Sequence, residues 1–139
     1  MNPTPYLFFN GQCRDAIAFY LDVFGGEVEF QMTVAEGPPE FEAPADRQDW
    51  IMHASINFGG GAIMMSDNIF GASDAMAGCS VSMAFATPEE AKAAFDKLAA
   101  SGEATMAFAP TFWSAGFGTV TDQFGVLWMI DTEQQPEAA

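Results

Sequence analysis

Residues 13–27 read CRDAIAFYLDVFGGE, and residues 88–103 read PEEAKAAFDKLAASGE. The second is a loose rewriting of the first. Placing Ala16 on Ala91, 75 residues further on, also places Tyr20 on Phe95, Val23 on Leu98 and the apolar run Pro5–Asn10 on Ser80–Phe85. Ala16, Phe19, Tyr20, Val23 and Phe24 recur at helical spacing, as do Ala91, Ala94, Phe95 and Leu98, so each copy predicts a helix with one stripe against a sheet. Gly25-Gly26 and Gly102 end these helices. The second helix has the clearer start: Thr87 can cap it, Pro88 suits its first turn, and Glu90 completes a capping box.

Strands flank both helices. Ahead of the first, Pro5–Asn10 is a short aromatic run broken by Gly11; behind it, Glu27–Thr33 alternates Val28, Phe30 and Met32 with Glu27, Glu29 and Gln31. Trp50–Phe58 and Ala62–Ser66 follow, joined by Gly59-Gly60-Gly61, a turn rather than a phosphate loop because no GK[ST] or helix follows it. In the second copy Thr105–Phe108, Trp113–Thr121 and Val126–Asp131 play these parts, with Asp122-Gln123-Phe124-Gly125 as the last turn. Between strands, Val34–Asp49 gathers Pro38, Pro39 and Pro44 with five acids and reads as a long loop, either solvated or a lid. The chain is thus an α+β single domain over 1–139, made of two βαβββ modules at about 4–66 and 79–132 with a linker at 67–78. The polar tail after Thr132 is expected to fray.

Composition excludes several function classes. Nineteen acidic residues against Arg14, Arg47, Lys92 and Lys97 leave a net charge of −15, which disfavours nucleic acid and anionic membranes as partners. The field suits solubility and attracts cations. No apolar run spans a membrane, and the start lacks the features of a signal peptide, so the expected location is the cytoplasm. Cys13 and Cys79 have no neighbouring Cys or His and are expected to be reduced, packing thiols.

Three segments carry a family likeness: Pro5-Tyr6-Leu7 with Ala16–Tyr20; His53-Ala54 with Ile63–Asp67; and Thr111-Phe112-Trp113, Gly116–Gly118, Val120–Asp122, Phe124–Val126 and Trp128–Ile130. Together they resemble the vicinal-oxygen-chelate superfamily of glyoxalase I, extradiol dioxygenases, fosfomycin-resistance enzymes and bleomycin-binding proteins, and within it the PhnB-like branch. The resemblance implies a glyoxalase/bleomycin-resistance fold with a curved eight-stranded mixed sheet, helices on the convex side, a small-molecule ligand on the concave side, and homodimers. It also implies where a metal would be held in enzymes of this kind, at positions falling near Pro5, Met64, Ser80 and Met129. None of these four is a His, Gln or Glu, and moving the register by one residue to Thr4, Tyr6, Ile63, Met65, Cys79, Val81, Trp128 and Ile130 supplies none either. The expectation is therefore no metal and no cofactor. The methyltransferase name often given to PhnB-like relatives finds no support, since no glycine-rich strand-to-helix turn is present to hold a cofactor.

His53 is the sole imidazole and the candidate catalytic residue, because its unperturbed pKa lies nearest neutrality. A structural hydrogen-bonding role competes with that. Leu7, Phe9, Met64 and Met129 are expected to floor the ligand pocket, with Ser66 contributing polar contact and Trp113 and Phe117 gripping a planar or cationic ligand. The favoured function is a metal-free small-molecule binding module. The alternative is an enzyme on a small metabolite, a glyoxalase-like lyase, isomerase or resistance-type transferase, using a divalent metal or His53.

Overall fold

The computed structural model describes residues 1–137; residues 138–139, the end of the tail expected to fray, lie outside it. Contacts divide the chain into two compact units, Met1–Asp74 and from Ala75 on. The first contains β1 (Tyr6–Phe9), α1 (Cys13–Phe24), β2 (Glu27–Thr33), β3 (Ile51–Asn57) and β4 (Ala62–Asp67). The second contains β5 (Val81–Phe85), α2 (Pro88–Ser101), β6 (Glu103–Ala109), β7 (Phe117–Thr121) and β8 (Leu127–Thr132). Each forms its own four-stranded mixed sheet, ordered β1-β4-β3-β2 and β5-β8-β7-β6, so the eight strands are shared between two sheets of identical topology. In both, the first strand pairs parallel with the last and the remaining pairs are antiparallel. The parallel pairing requires a crossover, which the helix supplies.

The helices bury the stripes that their spacing predicts. Ala91, Ala94, Phe95 and Leu98 are buried on α2; Ala16, Tyr20 and Val23 are buried on α1, joined by Cys13 and Ile17, while Phe19 and Phe24 stay half-buried. Thr87 caps α2 by accepting from the Glu90 N–H at 3.3 Å. Gln12 gives α1 no such bond. The cap comes instead from the end of β4, where Asp67 is buried and its carboxylate accepts the Gly11 and Cys13 N–H groups. Asp67 is thus a fastening of the fold and not the start of a free linker. Residues 68–73 stay fastened too: the Arg47 guanidinium donates to the Asn68 and Gly71 carbonyls, and Asn10 exchanges two hydrogen bonds with Ser73.

The acidic loop is held at both ends. Val34 and Ala35 continue the β2–β3 hairpin by donating to Trp50 and Gln48, and the rest folds as two short 3-10 turns, Pro39–Phe41 and Ala45–Arg47. Arg47 lies 4.3 Å over the Trp50 ring, while Phe41 and Phe70 bring their rings to 6.4 Å. Strand β7 is shorter than its pattern suggests, because Ser114 folds the chain into a turn, donating to the Gly116 carbonyl, before Phe117 begins the ladder.

Burial and the adjacent Asp67 charge push the Cys13 thiol well above its ordinary pKa, whereas Cys79 is exposed. A thiol whose folded-state value is raised leaves stability whole below the unfolded value and erodes it as pH climbs beyond. A disulfide-exchange reagent at pH 8 should accordingly label Cys79 alone in the native protein and Cys13 only after unfolding, and chemical stability should fall in alkali. Rapid labelling of both thiols in the native state would contradict the buried placement.

Candidate functional site

In the first module each strand sends alternate residues to the helix and to the opposite, open face. On β1 the buried pair is Leu7 and Phe9, and the exposed pair is Tyr6 and Phe8. Leu7 is registered with Met65, and Phe9 with Asp67, both of them buried on the helix side. Leu7 and Phe9 therefore belong to the core and not to the pocket floor. A one-residue shift of register moves a whole strand's side chains to the other face, and here it puts Tyr6 and Phe8 where Leu7 and Phe9 were expected.

The open face is built in rows. Tyr6 pairs with Met64, Met64 with Ser55, and Ser55 with Phe30, one row running across all four strands. His53 lies two residues before Ser55 on the same side of β3, half-buried, and pairs with Met32. Across the intervening strand the Tyr6 hydroxyl comes within 2.9 Å of His53 Nδ1, and the two rings lie stacked with centroids 5.6 Å apart. A neutral imidazole carrying its proton on Nε2 accepts the Tyr6 O–H there. Phe30 approaches His53 from the other side at 5.6 Å, and Phe8 stands 4.9 Å from Tyr6. Met64 and His53 are thus brought together, with Tyr6, Phe8 and Phe30 as partners that the sequence reading did not select. Ser66 is buried in β4 opposite Phe8.

Two acidic residues of β2 reach this face: Glu27, registered with Asn57 at its edge, and Glu29. The β2–β3 register shifts between Val28 and Phe30, leaving Glu29 as the extra residue of a bulge. Its carboxylate accepts from Asn57 Nδ2 at 2.6 Å and from the Ser55 hydroxyl at 3.4 Å.

In the second module Phe117, Thr119 and Met129 share the open face, since Thr119 is registered with Met129 while Gly118 and Val120 turn to the helix. Trp113 precedes β7 instead of lying within it, yet its ring meets Phe117 edge-on at 5.1 Å, with Phe112 at 4.7 Å beyond. The Thr105 and Thr119 hydroxyls bond at 2.7 Å. Asp131 is registered with Phe117 here, and among the described residues this face has no counterpart of the Tyr6–His53 hydrogen bond.

The profile of the Glyoxalase/Bleomycin resistance protein/Dioxygenase superfamily matches residues 4–130. The chain belongs to this superfamily. Among superfamily relatives, Protein YjdN of Escherichia coli strain K12 is 39% identical over 142 residues, covering 96% of this chain and 97% of its own. Protein PA1353 from Pseudomonas aeruginosa superposes with a TM-score of 0.86 at 40% identity, covering 97% and 99% of the two chains. The PhnB protein from Bacillus cereus, whose name carries a provisional 3-demethylubiquinone-9 3-methyltransferase assignment, gives 0.79 at 25% identity over 95% and 99%.

Superfamily metal centres need several N or O donors around one point. Here Met64 and Met129 bring thioethers to the open faces, and Tyr6, not a ligating His or Glu, projects from β1. Among the described residues, no three His, Cys, Asp or Glu side chains converge to hold an ion. The donor set does not fit a divalent centre of that kind. Nor is any helix among them long and apolar enough to cross a membrane.

Proposed function

We propose that this protein binds a small organic molecule, without a metal ion, on the open face of its first module. One observation carries the reading: the rings of Phe30, His53, Tyr6 and Phe8 follow one another along that face, and all but His53 are more than a third exposed. A contiguous exposed aromatic surface on a soluble domain marks a binding site more often than chance, and Met64 beneath it adds an adaptable apolar contact. The donor set supports the metal-free part. Two free cysteines suit the reducing cytoplasm, and the family likeness supports a homodimer. The provisional methyltransferase name stays with its bearer: the Gly59–Gly61 run here joins two antiparallel strands and opens no helix that would cradle a cofactor.

The Tyr6–His53 hydrogen bond favours a second reading, an enzyme on a small metabolite in which His53 moves a proton. Substitution separates the two. His53→Gln should abolish turnover if the imidazole transfers protons, but should only reduce affinity if the face merely binds. For the binding reading, a library of small aromatic ligands read by thermal shift should return compounds that raise the midpoint. Phe8→Ser should weaken those compounds about 10-fold while leaving the ligand-free midpoint unchanged, because Phe8 is 60% exposed. Hits indifferent to Phe8→Ser would place the site elsewhere.

A further inference from the structure

The distribution of charge in the fold says which ligand the face would take. None of the eight strands contains a lysine or arginine. Arg14 lies on α1 and donates to the Asp49 carbonyl, Arg47 is spent on the Asn68 and Gly71 carbonyls, Lys92 pairs with Asp96 at 2.7 Å on α2, and Lys97 is on the same helix. The strands of neither sheet offer an anion a lysine or arginine partner.

The first module's face does offer a cation a carboxylate. Because β2 bulges at Glu29, this side chain reaches across to Ser55 and Asn57 on the face that Phe30 occupies, and their two donors hold one oxygen each. A carboxylate has about four acceptor positions, so roughly half of its capacity is left for a ligand. Beside it runs the line of rings from Phe30 through His53 and Tyr6 to Phe8, whose faces attract positive charge and planar apolar groups alike. The net charge of −15 adds a long-range attraction of the same sign.

Resting on the binding reading above, we propose that this face recognises a small organic cation: an ammonium or amidinium group paired with Glu29, and a planar body laid against the Phe30–His53–Tyr6–Phe8 rings. A charge-assisted hydrogen bond is stronger than a neutral one, and the rings prefer a cation to its neutral isostere.

Three probes of nearly equal shape test it at pH 7: 2-phenylethylammonium, 2-phenylethanol and 3-phenylpropionate, titrated with affinity read from the NMR signals of Tyr6, Phe8 and Phe30. The ammonium should bind about 10-fold more tightly than the alcohol, and the carboxylate should not bind. Glu29→Gln, at an exposed position and still able to accept from Asn57, should keep the thermal midpoint and bring ammonium and alcohol within about 2-fold of each other. If the alcohol binds wild type as well as the ammonium does, or Glu29→Gln keeps the preference, the cation proposal falls while the binding face stands. If no probe perturbs these aromatic signals, the binding reading falls and the proposal with it.

Discussion

Replacing Asp67 with alanine is expected to lower the stability of the protein by about 3 kcal/mol or more, seen as a fall in the urea midpoint with little change in slope. The carboxylate accepts three backbone N–H groups, from Gly11 at 2.8 Å, Cys13 at 3.0 Å and Ile51 at 2.9 Å, and is 3% exposed. These donors belong to the start of α1 and the start of β3, so a single side chain at the end of β4 fastens three elements. Alanine leaves the three donors without their acceptor, and each unsatisfied buried group costs about 1–3 kcal/mol. The positive end of α1 also loses its counter-charge. Asparagine should recover only part of the loss, since its amide turns a donor toward one of the N–H groups. The Cys13 thiol gives a second readout: loosening the helix start should let disulfide-exchange reagents reach it in the native state. A loss below about 1 kcal/mol would mean that water replaces the carboxylate and that α1 is held by its buried stripe alone.

The difference between what was legible and what was not follows from the range of the interactions. α2 could be read with its cap because Thr87, Pro88 and Glu90 are neighbours in sequence. The α1 cap could not, because Asp67 lies 54 residues from Cys13 and nothing local to Gln12 points to it. The duplication was visible because it repeats helical periods, and the two sheets share one topology as a result. The face of β1 was not visible. Tyr6-Leu7-Phe8-Phe9 is apolar throughout, so alternation carries no information and only pairing with β4 decides which residues are inside. The β2 alternation was misleading in one place, since a regular strand sends Glu29 away from Phe30, whereas the bulge brings its carboxylate to the same face. The open-face placement of His53 could be read from strand alternation, and that of Met64 from the family resemblance. Tyr6, Phe8, Phe30 and Glu29 needed the register and the bulge, which short-range patterning does not encode.

The second module places a buried carboxylate at a different joint, and the consequences can be isolated by a mutant cycle. Asp122 is 4% exposed and accepts the Phe124 and Val126 N–H groups at 2.8 and 3.0 Å with one oxygen, and Trp128 Nε1 at 2.8 Å with the other. It shapes the β7–β8 turn and also satisfies the indole of Trp128, which is 1% exposed at the centre of this module's core. The corresponding turn of the first module relies on Gly59–Gly61 and on Asn57, whose side-chain oxygen accepts from the Gly59 N–H at 2.7 Å. Asp122→Ala should cost about 3 kcal/mol and shift the tryptophan emission to the red, because the indole N–H loses its acceptor and water must enter to replace it. Trp128→Phe alone also costs stability, by leaving unfilled volume and removing the indole hydrogen bond to Asp122. In the Trp128→Phe background, however, the indole donor is already absent, and removal of Asp122 orphans the Phe124 and Val126 amides but no indole. The cost of Asp122→Ala should therefore be smaller there by about 1 kcal/mol, measured as the coupling between the two positions. Strict additivity would show that the indole gains nothing from the carboxylate and that Asp122 acts on the turn alone.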